Sequence, residues 1–200
     1  MRVMTFRSAL PSAVFCLALS AMPALAQEAE ADAATQAPQP GQPYSVSTHN
    51  DWEVVCSIVD EAGTEACELY QLLLDESETP IAEISVSALP FGSEFAAGIT
   101  ATTPLETFLP TGMGWRIGNA EEMRIEPFRV CTVVGCVVRM GMTAEEVDAM
   151  KAGATATVTI APFVAIDQPI EISVSLSGFT AGYEALQTRM SEAAVRQREN

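Results

Sequence analysis

The chain has 200 residues, with 26 acidic and 10 basic side chains and a formal net charge of −16. So acidic a surface disfavours nucleic acid and anionic membranes as partners and favours solubility. A solvated acidic surface, suited to a salty habitat, is a better interpretation of this charge than a dedicated cation-binding function.

The first 26 residues have the order of a secretory signal peptide. Arg2 and Arg7 precede an apolar run from Ala9 to Met22, and small residues follow as far as Ala26. This order predicts residues 1–26 as a signal peptide that is cleaved after Ala26. A retained membrane anchor is disfavoured, because a span needs roughly 20 apolar residues. Removing Arg2 and Arg7 from the 10 basic residues leaves 8 against 26 acidic ones, a net charge of −18, and we expect no transmembrane helix after cleavage.

Composition divides the rest of the chain into three parts. Residues 27–43 contain Ala, Pro, Gln and acidic residues without a large apolar side chain, which predicts a disordered linker. Residues 44–183 are long enough for one domain with its own core. Residues 184–200 are predicted to be a helical tail whose end frays.

Four cysteines follow the predicted cleavage site, namely Cys56, Cys67, Cys131 and Cys136. An even number in an exported chain predicts two disulfide bonds, although four cysteines allow three pairings. Register favours pairing between neighbours. A turn centred on Glu61 and Ala62 places Cys56 directly opposite Cys67, and a hairpin centred between Val133 and Val134 places Cys131 opposite Cys136.

The second hairpin is not expected to have a two-residue turn. Val133 and Val134 would both need positive φ, which β-branched residues resist. A four-residue loop that uses Gly135 for the unusual backbone angle is the better prediction.

Most of the domain alternates apolar and polar residues with a period of two. Ile170, Ile172, Val174 and Leu176 alternate with polar residues, and the same pattern recurs around Ile84 and around Val158. One of the predicted strands spans residues 123–130. About nine short strands, separated by Pro and Gly, predict an all-β fold of two packed antiparallel sheets, an antiparallel β-sandwich.

Helical signals occur in two places. Thr143 and Glu146 form a predicted capping box at the start of a short connector helix, and Gly153 follows as a stop. The segment from Gly182 to Asn200, which includes the tail, places apolar side chains at helical spacing, at Tyr183, Leu186, Met190 and Ala194. Docking of its first turns is favoured over a role as a partner-binding helix.

The sequence offers little for catalysis, metal binding or a cofactor. His49 is the only histidine, and a lone histidine beside a strand start is more typical of a surface residue than of a ligand. Nucleophilic hydrolysis would need a base beside its nucleophile. We therefore expect no catalytic residue, no cofactor and no metal. The stronger enzymatic alternative is a periplasmic thiol-disulfide oxidoreductase that uses Cys131 and Cys136. A structural bond is favoured, because exchange enzymes activate a thiolate at a helix N-terminus with a two-residue spacer.

Several motifs occur together in one order along residues 44–179. They are Trp52-x-x-x-Cys56, then Cys67, Thr103-Pro104-Leu105, Leu109-Pro110-Thr111-Gly112, Pro127-Phe128-x-x-Cys131-x-x-x-Gly135-Cys136 and Met150-Lys151-Ala152-Gly153. In this combination the chain resembles the invasion-associated locus B (IalB) family of exported proteobacterial proteins. The resemblance implies an immunoglobulin-like β-sandwich in the periplasm or at the outer envelope of a Gram-negative bacterium, with the cysteines as internal disulfides. The family name implies help in host-cell entry, and no catalytic or receptor-binding motif comes with it.

Together these features indicate a non-enzymatic interaction module, periplasmic or secreted, that binds an unknown protein partner in the envelope or at the cell surface. Trp52, Phe128 and the two disulfides would hold the scaffold. The loops at residues 90–94 and 104–114 are the candidate binding regions, because loops on rigid sandwiches often bind partners. A periplasmic inhibitor or chaperone that uses sheet edges is an alternative that the sequence leaves open.

Overall fold

The computed structural model describes residues 39–75 and 77–199, and side chains as far as residue 196. The predicted signal peptide, residues 1–26, and most of the predicted linker lie outside the described residues. The strands are β1 (Pro43–His49), β2 (Trp52–Ile58), β3 (Glu65–Leu74), β4 (Pro80–Ala88), β5 (Ala97–Thr103), β6 (Met113–Ile117), β7 (Arg124–Glu126), β8 (Phe128–Thr132), β9 (Gly135–Met142), β10 (Thr155–Ile160) and β11 (Ile170–Ser175). The helices are α1 (Ala144–Ala152) and α2 (Phe179–Glu199).

The strands form two antiparallel sheets. The larger sheet has seven strands in the order β1-β2-β3-β4-β5-β9-β8, and the smaller sheet has four in the order β11-β10-β6-β7. The prediction of an all-β antiparallel sandwich with a connector helix and a C-terminal helix is confirmed. Immunoglobulin constant domains divide seven strands four and three in a Greek key. Here the division is seven and four, and the first five strands form one meander.

One core lies between the sheets and under the helices. Alternate residues of the large sheet, such as Val54, Ile84 and Ile99, point inward, as the period of two dictates. Helix α2 adds Phe179, whose ring meets that of Trp52 edge to face at a centroid distance of 5.3 Å. Of the predicted apolar stripe, Tyr183 and Leu186 are buried in the core and Met190 packs partly buried against it, whereas Ala194 is exposed.

A buried amide joins the two sheets. Gln71 is 5% exposed, and its Nε2 donates to the carbonyls of Asp51 and Ser175 at 3.1 and 3.0 Å. Its Oε1 accepts from the Ser175 amide at 3.0 Å. A buried backbone group without a hydrogen-bond partner is costly. The Gln71 side chain supplies partners for the backbone amide and carbonyl of Ser175, at the end of β11 that lies beside β3.

Pro127 divides what the sequence indicated as one strand. The prediction of a single strand over residues 123–130 is wrong, because β7 pairs with β6 and β8 pairs with β9. Proline has no amide hydrogen for a sheet ladder, so the chain changes sheets at this residue. The sequence also did not indicate β1, an edge strand whose side chains are mostly exposed.

The Val133–Val134 turn differs from its prediction. Thr132 pairs with Gly135, so the connection has two residues, and the four-residue loop is wrong. Neither valine takes a positive φ, whereas Gly135 has φ 154°. The valines therefore avoid the conformation that made a two-residue turn unfavourable, and Gly135 takes the unusual angle as expected.

The ends of the domain extend beyond the predicted boundaries. Pro40 forms a bridge with Ile58, and Gly41 N donates to Ile58 O at 2.9 Å, so contacts begin before Tyr44. At the other end, the predicted boundary after residue 183 falls inside α2. Within the described residues, no helix has both the length and the apolar character to span a membrane.

The connector helix forms as its sequence indicates. The Thr143 side chain accepts from the Glu146 amide at 3.2 Å, and the Glu146 side chain accepts from the Thr143 amide at 2.8 Å, which completes the capping box. Val147 and Met150 face the core.

Candidate functional site

The Cys56–Cys67 disulfide joins opposite positions on β2 and β3. The turn between these strands has the predicted register, with Cys56 paired to Cys67 and Ile58 to Glu65. The sulfur atoms are 2.00 Å apart, and Cys56 is 1% exposed. This bond lies inside the sheet and closes a hairpin of consecutive strands.

The Cys131–Cys136 disulfide closes the β8–β9 hairpin next to its turn. The two cysteines are paired across the strands, with their sulfur atoms 2.08 Å apart. Cys136 is buried at 1% exposure, whereas Cys131 on the edge strand is exposed. Val133 and Val134, which follow at the tip, are 95% and 77% exposed.

The other motif residues support this framework. Trp52 is fully buried, and its Nε1 donates to the Ser175 carbonyl at 2.8 Å. Phe128 packs partly buried against the core beside exposed Pro127. A Cβ atom at Gly135 would lie 2.5 Å from the Thr103 carbonyl oxygen, so the close approach of two strands requires glycine there.

The environment of the second disulfide does not favour thiol exchange. Both cysteines lie on β-strands, whereas low-pKa thiolates are typically found at helix N-termini or beside cationic groups. Cys136 is shielded by the fold. The arrangement has the features of a structural bond.

His49 is half-buried near the end of β1. Its Nε2 lies 2.9 Å from Ser47 Oγ, within hydrogen-bonding distance. In residues 39–75 and 77–199, no group of three His, Cys, Asp or Glu side chains is arranged to hold a metal ion.

The outer face of the seven-stranded sheet carries a row of polar side chains across five strands. Cross-strand pairing aligns Glu53, Tyr70, Ser85, Thr100 and Arg139 on β2, β3, β4, β5 and β9. Four strand intervals of about 4.8 Å make this row roughly 19 Å long. We call these five residues the polar row. It begins with a carboxylate, ends with a guanidinium and has three hydroxyls between them.

Shallow grooves follow the polar row. A groove of about 210 Å³ contains Tyr70, Ser85, Thr100 and Arg139. It shares Glu83 and Thr102 with a second groove of about 410 Å³, which reaches Leu72, Ile81, Pro104 and Val134 near the turn. The uncovered face of the sheet therefore combines a polar centre with an aliphatic end.

Three carboxylates surround the Tyr70 hydroxyl. The hydroxyl donates to Glu83 Oε2 at 3.1 Å. Burial raises the pKa of Tyr70 to about 12, and the negative charges of Glu83, Glu68 and Glu53 add to the increase. The surface around Tyr70 therefore has a negative potential that favours cations.

The loop at residues 90–94 also presents an exposed aromatic side chain. Phe91 is completely exposed, and a cleft of about 360 Å³ separates its loop from α1 and α2. Lys151, the chain's one lysine, lies 5.5 Å from the centroid of the Tyr183 ring in this cleft and 3.7 Å from the Asp148 carboxylate.

The loop at residues 104–114 is held by hydrogen bonds within itself and to Ala161. Thr107 Oγ1 donates to the Pro104 carbonyl at 2.7 Å, and the Phe108 amide donates to the Ala161 carbonyl at 2.7 Å. Leu105 and Leu109 are exposed on it at 54% and 40%. Part of the apolar surface of this loop is therefore exposed to solvent.

The chain is similar to one family of known proteins and to one of its solved structures. The family model described as invasion associated locus B (IalB) protein matches residues 52–187, more than half of the chain. The chain belongs to the IalB family. Among solved structures, it is similar to invasion associated protein B from Bartonella henselae, with 18% sequence identity and a TM-score of 0.62. That match covers 72% of this chain and 97% of the Bartonella chain, and at this identity it shows a shared fold. No curated protein matches the chain.

Sequence reasoning in terms of family motifs missed the polar row of this IalB family member. Each of its residues is an ordinary outward position of an alternating strand, and only strand order and register bring the five together. The available signal was the run of small polar outward residues on β4 and β5, where a typical exposed sheet face carries long side chains.

Proposed function

We propose that this protein is an exported, non-enzymatic β-sandwich of the Gram-negative envelope that acts as an interaction module for a protein partner, in the periplasm or at the cell surface. Association with host-cell invasion is part of the proposal because of the family and of the name of the Bartonella protein. The predicted signal peptide at residues 1–26, and a linker that leads from it into the β-sandwich domain, belong to the same proposal.

The observation that carries the proposal is the pair of closed disulfides on neighbouring strands, Cys56–Cys67 and Cys131–Cys136. Such bonds persist in oxidising compartments and are rare in the reducing cytosol, which supports export. They also make the sheet and its turn rigid, and a rigid scaffold with exposed turns is typical of binding proteins.

Export can be tested by expressing the full chain in a Gram-negative host and fractionating the cells. We expect the product in the periplasm or medium, with Gln27 as its first residue. Alkylation without reduction, followed by peptide mapping, should find no free thiols and two linked peptides, Cys56–Cys67 and Cys131–Cys136. An uncleaved cytoplasmic product with free thiols would contradict the proposal, as would bonds between the early and late cysteines.

The alternative function, thiol-disulfide exchange by Cys131 and Cys136, has a separate test. A structural bond should have a reduction potential below about −300 mV, whereas a value of roughly −120 to −200 mV would favour an oxidoreductase. The invasion role is tested by a deletion strain of the native bacterium. Unchanged entry into host cells would remove that role and leave the binding role in place.

A further inference from the structure

Three loops meet at one end of the β-sandwich. They are residues 104–112 between β5 and β6, the turn at residues 133–134 between β8 and β9, and residues 161–169 between β10 and β11. The first and third loops touch, because Thr107 forms a bridge with Pro162 and the rings of Phe108 and Phe163 have their centroids 6.3 Å apart. The turn lies beside the first loop, because β5 and β9 are paired where they meet these segments. We call the three segments the apolar tip.

The apolar tip exposes large apolar side chains on all three loops. Val133 and Val164 are 95% and 89% exposed. Val134 and Phe163 beside them are 77% and 68% exposed, and Leu105 on the first loop is 54% exposed. A group of exposed apolar side chains of this size marks a surface that contacts a membrane or another protein.

The loops of the apolar tip supply many of their own backbone hydrogen bonds. The Phe163 amide donates to the Glu106 carbonyl and the Phe108 amide to the Ala161 carbonyl, both at 2.7 Å. Further amides donate to carbonyls within these loops, at Thr107, Gly112, Ala165 and Gln168. Four positions are proline and have no amide hydrogen, namely Pro104, Pro110, Pro162 and Pro169.

This hydrogen bonding favours a lipid surface over a protein as the partner of the tip. Backbone groups that are already paired lose little when water is removed, which is the condition for entering an apolar medium. A protein interface instead carries about one hydrogen bond per 100–200 Å², for which these amides are not free. A fluid bilayer also accommodates protruding side chains without a pocket that matches each one.

The charges around the tip indicate which kind of bilayer it suits. The three segments contain two charged residues, Glu106 and Asp167, and both are acidic. The turn between β3 and β4, at the same end of the large sheet, adds Asp75 and Glu78. Because carboxylates are repelled by anionic lipids, the complementary surface is a bilayer without net charge.

We propose that the apolar tip docks this protein on a bilayer of zwitterionic phospholipid. The side chains of Val133, Val134, Phe163 and Val164 enter the boundary between headgroups and acyl chains, a depth of about 5 to 10 Å. The Cys131–Cys136 disulfide at the base of the turn fixes the two valines before docking, which lowers the entropy lost on binding. The inference goes beyond the proposed function, because it concerns a lipid surface and not a protein partner.

The test uses the exported protein, with its disulfides intact, and unilamellar vesicles of phosphatidylcholine. Flotation on a density gradient measures the fraction of protein bound to lipid. We expect this fraction to rise with the lipid concentration, and we expect vesicles that contain phosphatidylglycerol to bind less protein. Concentrated salt should remove most of that difference, because it screens the repulsion between charges and not the apolar contact.

A double variant of the tip has a matched control at the other end of the sandwich. Val133→Ser together with Val164→Ser should lower the partition coefficient by about tenfold or more, because both apolar side chains are lost. Val59→Ser together with Val195→Ser makes the same changes at exposed valines on the β2–β3 turn and on α2, and should leave partitioning unchanged. Circular dichroism checks that both double variants fold.

A tryptophan placed on the tip reports which surface enters the lipid. The emission of Val164→Trp should move to shorter wavelength on vesicles and should be quenched by lipids brominated in their acyl chains. Val59→Trp is the control and should show neither effect. Trp52 and Trp115 are buried, so they contribute the same background to both variants.

Four outcomes would overturn the inference. The first is the absence of binding to phosphatidylcholine vesicles; if the tip then retains an envelope protein, it is a protein interface. The second is an equal loss of binding in the two double variants. The third is tighter binding to vesicles that contain phosphatidylglycerol. The fourth is lipid-bound Val164→Trp without quenching. None of these alters the fractionation and disulfide results that test the proposed function.

Discussion

Arg189 donates a hydrogen bond to Glu65 across 2.6 Å, which ties the middle of α2 to the first residue of β3. Arg196 donates to the second oxygen of the same carboxylate at 2.7 Å, and the Tyr44 hydroxyl donates to the first. One carboxylate thus joins β1, β3 and the C-terminal helix. Fraying of the end of the tail stays a prediction for residues after this anchor.

Replacing Glu65 should loosen this anchor. Glu65→Gln removes two charge-assisted hydrogen bonds, but the Arg196 side chain is 47% exposed and solvent weakens its share. We expect the free energy of unfolding to fall by about 1 to 2 kcal/mol in urea denaturation. Glu192→Gln, at an exposed site on α2 that is 4.0 Å from Arg196, is the control and should change it by less than about 0.5 kcal/mol. Equal losses of stability in Glu65→Gln and Glu192→Gln would contradict the anchoring role of Glu65.

The same carboxylate should make stability depend on pH. Burial raises the pKa of Glu65, but hydrogen bonds from Tyr44 and Arg189 and the charges of Arg189 and Arg196 outweigh it and hold the pKa below its ordinary value. A lowered folded-state pKa gives stability that is present above the unfolded value of about 4.3 and is lost as the pH falls through the folded value. The stability difference between the unmodified protein and Glu65→Gln should therefore be full at pH 7 and shrink below pH 4. A difference that grows on acidification would refute this assignment.

The two disulfides should differ in their contribution to stability. They close loops with sequence separations of 11 and 5 residues. On the loop-closure model, replacing Cys56 and Cys67 by Ser should cost about 3 kcal/mol, and replacing Cys131 and Cys136 should cost about 2 kcal/mol. Denaturant unfolding of the two double variants measures both values. The reverse order would contradict loop closure as the main source of their stabilisation.

Gly135 should tolerate no side chain. Gly135→Ala would place a methyl group 2.5 Å from the Thr103 carbonyl and 2.7 Å from Thr102 Cγ2 at a φ of 154°. We expect a loss of about 2 kcal/mol in the free energy of unfolding. The matched control is Gly98→Ala on the neighbouring strand β5, where nothing lies within 4 Å of the added atom. It should be close to neutral, and similar losses at both sites would show that strand propensity alone is responsible.

Replacing Gln71 should lower the free energy of unfolding by more than is usual for a polar residue in a strand. Gln71→Leu keeps the volume but leaves the Ser175 amide and the carbonyls of Asp51 and Ser175 without the Gln71 partner. The Ser175 carbonyl still accepts from Trp52, so we expect a loss of about 3 kcal/mol rather than more. Gln187→Leu, on the exposed side of α2, is the control. A neutral Gln71→Leu would mean that water replaces the amide.

The sequence predicted features that depend on neighbouring residues. Cys56 and Cys67 could be paired from the turn between them, and Thr143 and Glu146 could be assigned as a cap, because both interactions are local. Features that depend on strand order were missed. Gln71 looks like any polar residue in a strand until β11 lies beside it, and the residues of the polar row come from five strands.

The error at Pro127 has the same origin. Apolar and polar residues alternate on both sides of Pro127, but the phase of the alternation slips by one residue between Pro127 and Phe128. Two short apolar stretches were therefore joined although they belong to different sheets. The proline was visible in the sequence and marks the change of sheet, but which partner each half pairs with is decided by the packing of the whole domain.

The closeness of each cysteine to its partner along the chain has a consequence for biogenesis. Each thiol meets its correct partner within a single hairpin, a contact that forms in microseconds, long before distant strands assemble. An oxidant that acts on the emerging chain therefore makes the native bonds first, and oxidative folding needs no later reshuffling by an isomerase.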